Sequence, residues 1–271
     1  MKPNVAIAFI GFGEVGQLFA RQLREEAGIT VSVYDLKFDD PDARPTLASA
    51  AVAAGVRVAG SARAAASNAD LVFSAVTAAS AEEVARDAAG WLAEGQVLVD
   101  LNSASPDTKR RCAAALEARG RDFVEAAVMA PVAQPGIRVP ILTGGRRAAE
   151  VSEILNGLGF RTRAVSDTVG RASATKLCRS IVIKGLEALM IDCARAASHW
   201  QVQDDVFASL GDTFPSIDFK ALAQVMDQRV ARHGVRRAAE MREAAAMLAE
   251  MGLDPALSRA IAGCHERRAE A

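Results

Sequence analysis

The chain has 271 residues, enough for one large domain or two smaller ones. Hydrophobic residues make up 51% of it and charged residues 24%, which is typical of a globular protein, and the 5% of aromatic residues indicates a mainly aliphatic core. The formal net charge of -1 gives no bulk attraction to nucleic acid or to an anionic membrane.

The chain lacks the sequence signals of a membrane protein or of a disulfide-bonded secreted protein. No apolar run reaches the roughly 18 residues of a transmembrane helix, and the start shows no signal-peptide pattern. The cysteines show no CxxC spacing and are predicted to be reduced: Cys112, Cys178, Cys193 and Cys264. We therefore expect a cytoplasmic protein with no metal, membrane or nucleic-acid partner, and the heavy use of alanine and arginine suggests a bacterial source.

Short apolar strands and helical segments alternate through the first part of the chain. The predicted strands are 5–10, 29–35, 69–77, 96–102, 122–129 and 139–145, and the predicted helices are 14–26, 47–55, 81–92 and 106–120. This alternation is typical of repeated βαβ units, so residues 1–165 are predicted to form an α/β domain with a parallel sheet.

Only helical periodicity follows in residues 166–271. One segment runs without proline from Val169 to about His199, and further helices are predicted at 204–210, 218–232, 235–251 and 255–268. We therefore expect an all-helical second domain that is joined to the first by one long interdomain helix. Because about a hundred residues rarely cover a helix of that length, the pattern predicts a homodimer.

The stretch GFGEVG, residues Gly11 to Gly16, follows a predicted strand and begins a predicted helix. In this setting Gly11 permits a tight turn, Gly13 lets backbone N–H groups approach a pyrophosphate, and Gly16 lets the helix pack close to the strand. The alternative is an ordinary glycine turn in an α/β protein. Asp35 ends the next strand, where a carboxylate can bind an adenosine ribose, so the two features together predict a dinucleotide site.

The predicted cofactor is NAD, with NADP as the alternative. The Asp35 carboxylate repels a 2′-phosphate, whereas the Lys37 ammonium group could bind one. The alternative interpretation of Asp35 is a cap at the end of the strand, and that of Lys37 is a solvated charge in a loop. The full predicted cofactor-binding set is Gly11, Phe12, Gly13, Glu14, Val15, Gly16, Asp35, Lys37, Val76, Thr77 and Asn102.

Two further segments carry candidate catalytic residues. In LVDLNSASPDTK, Asn102 and Ser103 follow a strand at the sheet edge where ligands bind, while Ser105 also fits a helix N-cap. At the start of the long helix, Lys176 lies among small and apolar residues. A lysine in a partly desolvated cleft can exchange a proton near neutral pH, although a helical lysine is usually a solvated surface charge.

Charged and polar residues recur at helical spacing in the second domain. Ser180 and Lys184 follow Lys176 at i+4 and i+8 on the same helix face. The segment RHGVRRAAEMREAA (232–245) contains His233, Arg236, Arg237 and Glu240. This cluster fits either a salt-bridged exposed face or an anion-binding face over a substrate cleft.

The segments GFGEVG, LVDLNSASP and GRASATKLCRS, in this order, resemble the β-hydroxyacid dehydrogenase superfamily, and the helical half resembles its 6-phosphogluconate-dehydrogenase-like branch. The resemblance implies a Rossmann-like NAD(P)-binding domain and a helical domain that builds a homodimer. It also implies an active site in the cleft between the domains, completed by the partner chain. It makes Lys176 the general acid/base, and Asn102 or Ser103 a substrate-binding residue.

The sequence departs from the superfamily pattern at the substrate pocket. Ser180 stands where the family has asparagine, and EAAVMAP (125–131) replaces a D-x-P-V-S-G-G motif. In the family the Ser-Gly-Gly of this motif forms a clamp for a substrate carboxylate. Here Met129, Ala130 and Pro131 replace it, so that proline removes one N–H donor and methionine makes the pocket more apolar. The predicted substrate-binding residues are Met129, Ala130, Lys184, His233 and Arg237, and the predicted catalytic residues are Lys176, Ser180, Asn102 and Ser103.

The predicted activity is an NAD(P)-dependent dehydrogenase or reductase that acts on a hydroxyl or carbonyl carbon of a small polar substrate. An imine or ketimine reductase of the same fold is one alternative, although the imine reductases generally lack the lysine. A non-catalytic NAD(H)-binding protein is the other alternative.

Overall fold

A computed structural model describes residues 5–270, which form two compact units. The units divide between Lys176 and Leu177. The first is an α/β unit and the second is all helical, as the sequence predicts. The predicted domain boundary at residue 165 precedes the long helix, whereas the division between the compact units falls inside it.

An eight-stranded sheet forms the centre of the first unit. Its strands are β1 (Ile7–Ile10), β2 (Val31–Tyr34), β3 (Arg57–Val58), β4 (Leu71–Ser74), β5 (Val97–Asp100), β6 (Asp122–Val128), β7 (Pro140–Gly144) and β8 (Arg161–Ser166). Their spatial order is β3-β2-β1-β4-β5-β6-β7-β8. The chain therefore reverses its direction of travel across the sheet between β1 and β4.

The predicted parallel sheet is confirmed for β1 to β6, and β7 departs from it. Strand β7 runs antiparallel to β6, and β8 is again parallel to β7. The connection from β6 to β7 contains one 3₁₀ turn, Gly136–Arg138, and no crossover helix. A parallel neighbour needs a crossover of a dozen or more residues, so this short connection dictates the antiparallel pairing.

Six helices accompany the sheet in the described part of the first unit. They are α1 (Glu14–Gln22), α2 (Arg44–Ala54), α3 (Ala62–Ala66), α4 (Ala81–Trp91), α5 (Pro106–Glu117) and α6 (Ala148–Gly157). The sequence patterns do not predict α3, α6, the two-residue β3 or β8. Helix α3 has only five residues, and β8 is a partly exposed edge strand with two arginines, so neither carries a strong apolar signal.

The two faces of the sheet have different cores. One face contains the aromatic cluster, in which the Phe9 and Phe73 rings stack with centroids 4.9 Å apart and the Phe160 ring lies against both Phe73 and Phe19. The other face is rich in alanine from α3 and α4. Strands β1, β4 and β5 are buried along their whole length, as parallel strands covered on both faces require.

Four helices make up the described second unit. They are α7 (Arg171–His199), which begins in the first unit, α8 (Gln203–Thr213), α9 (Phe219–Glu250) and α10 (Ala256–Glu270). The sequence predicts two helices where α9 is one, and α9 has a kink at His233, with φ −135° and ψ 15°. The next residue, Gly234, packs on α10 so closely that a Cβ atom there would lie 2.4 Å from the His265 carbonyl oxygen.

The four cysteines are free thiols, as predicted. Burial raises the pKa of the Cys112 thiol to about 12, so this side chain is not a nucleophile at neutral pH. Among residues 5–270, no three or more His, Cys, Asp or Glu side chains are grouped to hold a metal ion. Over the same range, every helix is too short or too polar to cross a membrane.

Two glycines inside helices provide a matched test of the packing in the second unit. We expect Gly234→Ala to lower the free energy of unfolding by about 1–3 kcal/mol, because the added methyl group meets the backbone of α10. Gly211→Ala, where a Cβ atom meets nothing within 4 Å, is expected to raise it by up to about 1 kcal/mol through helix propensity. Urea unfolding followed by circular dichroism measures both; equal changes in the two variants would contradict the close α9–α10 contact.

Candidate functional site

Two glycines of GFGEVG are required by the packing of the chain itself. Gly11 follows β1 with φ +97°, and its N–H donates a 2.8 Å hydrogen bond to the Tyr34 carbonyl oxygen. A Cβ atom on Gly11 would lie 2.4 Å from the Ala75 carbonyl oxygen, and one on Gly16 would lie 2.4 Å from the Gly11 carbonyl oxygen. These contacts hold β1, β4 and α1 together in a tight turn.

Gly13 differs from both neighbouring glycines, because nothing in the chain requires it. A Cβ atom there would meet nothing within 4 Å, and its φ of −78° and ψ of −159° suit any residue. Gly13 is exposed at the N-cap of α1, with Glu14 and Val15 in the first helical turn and no side-chain cap on their N–H groups. The backbone N–H groups of such a helix start, approached across a residue without a side chain, can bind a phosphate group.

Asp35 ties the end of β2 to the glycine turn. One carboxylate oxygen accepts the Phe12 N–H at 2.7 Å, and the other accepts the Lys37 N–H at 2.9 Å. The strand-end cap considered from the sequence is therefore present. Each carboxylate oxygen has two acceptor sites, so the same group retains capacity for a ribose hydroxyl. The Lys37 side chain is exposed, whereas the Phe12 ring is buried against Phe38.

The ends of β1, β4 and β5 are connected by hydrogen bonds. The Ala75 N–H donates to the Ile10 carbonyl oxygen at 2.8 Å, and the Leu101 N–H donates to the Ser74 carbonyl oxygen at 2.9 Å. Val76 and Thr77 follow β4 after one intervening residue, Ala75. In open α/β sheets, ligands bind at the carboxyl ends of the strands where the strand order reverses, and these residues lie at that point.

The Asn102 amide has an orientation that follows from its neighbours. Its Nδ2 donates to the Ser74 hydroxyl at 2.8 Å and also to a carboxylate oxygen of Asp100, which is ion-paired with the buried Lys109 at 2.7 Å. Because a carboxylate has no proton to give, the amide nitrogen must face Asp100. The Asn102 Oδ1 and Ser103 Oγ atoms are left buried without a partner, which fits residues that bind polar groups of a ligand.

Glu125 in β6 is a structural element of the site that was not among the residues predicted from the sequence. It is fully buried, and its carboxylate accepts the N–H groups of Gly170, Ala172 and Ser173 at 2.6, 3.0 and 3.2 Å. These groups form the start of α7. An ionisable residue inside an apolar strand, at the position where the resembling family has aspartate, is the signal from which it could have been found.

Lys176 lies in the second turn of α7, inside the first unit. Its side chain is half-buried. One turn earlier, Ala172 is buried in a small cluster with Ala127 and Leu142, against which Met129 packs. Met129 therefore lies near the beginning of the helix that carries Lys176, and Ala130, the next residue, is exposed.

Ser180 and Lys184 belong to the second unit and join a buried polar cluster. The Ser180 hydroxyl donates to the Glu240 carboxylate, and the Lys184 ammonium group donates to the same carboxylate at 2.9 Å. Burial lowers the pKa of Lys184, and the Glu240 charge opposes that shift. The two predicted site residues thus bind a carboxylate of their own chain.

Arg237 is likewise engaged inside the second unit. Its guanidinium group forms a bidentate ion pair with the fully buried Glu187, to which Arg229 also donates at 3.3 Å. His265 lies beside this pair, with its Nε2 atom 3.7 Å from the carboxylate, and burial lowers the pKa of its imidazole. His233 is exposed at the kink of α9.

The structure thus divides the predicted site residues between the units. Those in the first unit are Gly11 to Gly16, Asp35, Lys37, Val76, Thr77, Asn102, Ser103, Met129, Ala130 and Lys176, and those in the second are Ser180, Lys184, His233 and Arg237. The charges of Lys184 and Arg237 are compensated by glutamates. Roles in catalysis or in substrate binding remain predictions for all of these residues.

Two protein-family models match the chain, one in each unit. Residues 6–164 match the family described as the NAD binding domain of 6-phosphogluconate dehydrogenase. Residues 197–268 match a domain of unknown function (DUF1932). The first match covers more than half of the chain and includes the glycine turn, Asp35 and Asn102.

Solved structures and a curated enzyme show the same relationship. A conserved hypothetical protein from Sinorhizobium meliloti 1021 is 40% identical with a TM-score of 0.84, covering 99% of this chain and 90% of that one. The conserved protein MTH1747, described as structurally similar to 3-hydroxyacid dehydrogenases, is 30% identical with a TM-score of 0.79, covering 98% and 97%. The 2-(hydroxymethyl)glutarate dehydrogenase of Eubacterium barkeri is 27% identical over 191 residues, which are 68% of this chain and 60% of that enzyme.

The contrast between the glycines predicts separate effects on binding and on stability. Gly13→Ala is expected to leave the free energy of unfolding within about 0.5 kcal/mol of the wild type but to weaken NADH binding by about tenfold or more, because its methyl group occupies the space before α1. Gly16→Ala, which meets the Gly11 backbone, is the control that should lose stability instead. Fluorescence titration with NADH and urea unfolding measure the two quantities. Unchanged NADH affinity in Gly13→Ala would exclude this turn as the phosphate site.

Proposed function

Because the chain belongs to the family of the NAD binding domain of 6-phosphogluconate dehydrogenase, we propose that Lys176 is the general acid/base of the reaction that it catalyses. The chain is an NAD(P)-dependent oxidoreductase that acts on CH–OH groups. The proposed reaction is hydride transfer between the nicotinamide and a hydroxyl or carbonyl carbon of a small polar substrate. The observation that carries the role of Lys176 is its place in the second turn of a helix whose start is fixed on β6, in the unit that contains the glycine turn.

The residues at the carboxyl edge of the sheet fit a dinucleotide. The open helix start after Gly13 would bind the pyrophosphate, and the Asp35 carboxylate would bind the adenosine ribose, which favours NAD over NADP. Val76 and Thr77 would line the site, and the unpartnered oxygens of Asn102 and Ser103 would meet polar groups of the cofactor or the substrate. The bound nicotinamide supplies the hydride donor or acceptor.

The proposed role of Lys176 is proton transfer at the substrate oxygen. In the direction of oxidation, its neutral Nζ atom accepts the hydroxyl proton while the carbon loses a hydride, and in reduction its ammonium group returns the proton to the carbonyl oxygen. Asn102 and Ser103 would hold that oxygen in line. Met129 makes the adjoining wall apolar, which supports a substrate that does not depend on the Ser-Gly-Gly carboxylate clamp of the resembling family.

Two other activities make different predictions for the same protein. An imine reductase would reduce cyclic imines and leave hydroxy acids unchanged, and the presence of Lys176 argues against it. A non-catalytic NAD(H)-binding protein would bind NADH without turning over any substrate. A panel of 3-hydroxy acids, other short alcohols and cyclic imines, followed by NADH absorbance, separates these cases.

The proposed role of Lys176 predicts a loss of chemistry without a loss of cofactor binding. We expect Lys176→Ala to lower kcat by on the order of a hundredfold or more on the best substrate of the panel. The NADH dissociation constant is expected to change less than twofold, because the proposed pyrophosphate and ribose contacts come from other elements. Lys220→Ala, at an exposed lysine of the second unit, is the control and should keep wild-type kcat. Full activity in Lys176→Ala would exclude the lysine as the acid/base.

We also propose that the chain is a cytoplasmic homodimer whose second copy contributes to the active site. On α7, the side chains of Val182 and Leu189 are 68% and 69% exposed and lie two turns apart on one face. Exposed apolar side chains on a long helix support coverage by a partner subunit. The four free thiols fit a reducing compartment.

If the protein is a dimer through this face of α7, charged substitutions there should lower its molar mass in solution. The double variant Val182→Asp and Leu189→Asp is expected to shift the protein from dimer to monomer at micromolar concentration, because two carboxylates cannot be buried unpaired in an interface. Light scattering after size-exclusion chromatography measures the mass. Val52→Asp, at an 81% exposed valine of α2, is the matched control and should remain dimeric. A monomeric wild type would overturn the proposal.

A further inference from the structure

The geometry points to Glu125 as the positioning residue for Lys176. We propose that its buried carboxylate fixes the direction and the axial position of the first turns of α7, and thereby the place of the lysine ammonium group. The inference rests on the proposed role of Lys176 and extends it to a residue that touches neither the cofactor nor the substrate.

Helix α7 takes its N-terminal cap from a distant strand. A usual cap is a polar side chain on the residue before the helix, but that residue here is Gly170, with φ +106° and no side chain. Glu125, which lies in β6, caps the helix instead. One of its oxygens accepts the N–H groups of Gly170 and Ala172, and the other accepts the N–H of Ser173. The start of the helix is therefore fixed by a tertiary contact rather than by its own sequence.

The carboxylate itself has little room to move. Glu125 pairs with Gly144 across the antiparallel β6–β7 contact. A Cβ atom on Gly144 would lie 2.5 Å from one carboxylate oxygen of Glu125. The side chain thus fills the space between the backbone of β7 and the start of α7, so its length and position determine where the helix begins.

Charge as well as shape makes a carboxylate suitable at this position. The N-terminus of a helix carries partial positive charge and unpaired N–H donors, and a buried carboxylate satisfies both without a counter-ion. A glutamine of the same size would present one acceptor oxygen and one NH₂ group. That NH₂ group would face backbone N–H donors, so at least one of the three contacts would be lost.

A shift at the helix start is transmitted to the reacting group. Lys176 follows in the second turn, within the same rigid helix. Catalytic rates are sensitive to displacements of about 1 Å in a proton donor or acceptor. Cofactor binding uses the β1, β2, β4 and β5 ends and is expected to be independent of Glu125.

The experiment compares Glu125→Gln with Glu125→Asp in the full chain. We expect the glutamine variant to lower kcat by about tenfold to a hundredfold with KM and NADH affinity within twofold of the wild type. The aspartate variant keeps both acceptor oxygens and is expected to recover part of the lost kcat. Hydrogen exchange of the backbone amides of 170–176 should accelerate in the glutamine variant. Glu153→Gln, at an exposed glutamate of α6, is the control and should change none of these quantities.

A double-variant comparison separates positioning from general destabilisation. If Glu125 acts through Lys176, adding Glu125→Gln to Lys176→Ala should not lower the residual rate further. Gly144→Ala, whose methyl group displaces the carboxylate without removing it, should lower kcat like Glu125→Gln and remains informative if that variant fails to fold. Equal losses from Glu125→Gln with and without Lys176, or unchanged kcat in both Glu125→Gln and Gly144→Ala, would overturn the inference. Full activity in Lys176→Ala alone would instead overturn the proposed function.

Discussion

Three backbone N–H groups at the start of α7 converge on one buried carboxylate, and the arrangement of the proposed catalytic lysine depends on that contact. Glu125 lies in β6, within the antiparallel β6–β7 pair that departs from the parallel sheet, and its carboxylate contacts the first residues of the long helix. The short β6–β7 connection brings Gly144 opposite Glu125, and the absence of a side chain at Gly144 leaves room for the carboxylate. The antiparallel β6–β7 pair therefore holds the carboxylate that fixes the start of the helix that carries Lys176.

Carboxylates also accept hydrogen bonds at the carboxyl ends of β2 and β5. Asp35 accepts N–H groups from the glycine turn and from the residues after β2, and Asp100 orients the Asn102 amide while paired with Lys109. The Asp100 carboxylate satisfies buried donors, the Asp35 carboxylate satisfies donors nearer the surface, and each fixes a group at the carboxyl edge of the sheet. In the second unit, Glu187 and Glu240 bind cationic side chains rather than backbone N–H groups. They compensate the charges of Arg237 and Lys184.

The sequence predicted the local elements better than the tertiary contacts. The apolar run before Gly11 and the spacing to Asp35 were sufficient for the dinucleotide fold, because short-range geometry determines that motif. The sequence pattern does not predict helix α3 or strand β8, because they are short or partly exposed, and it predicts two helices where α9 is one kinked helix. The partners of Lys184 and Arg237 lie 56 and 50 residues away in the chain, so no local pattern shows that these cations are already paired. The cap on α7 is also long-range, and for this reason Glu125 was not predicted.

A crystal structure of the protein with NADH and a mixture of short hydroxy and oxo compounds would test the account most directly. We expect the pyrophosphate to contact the backbone N–H groups that follow Gly13. We also expect the Lys176 Nζ atom to lie within about 3 Å of an oxygen of the compound bound beside the nicotinamide. Glu125 is expected to retain its three N–H contacts. A nicotinamide bound with Lys176 remote from both the ring and the bound compound would contradict the central claim that this helix start presents the acid/base.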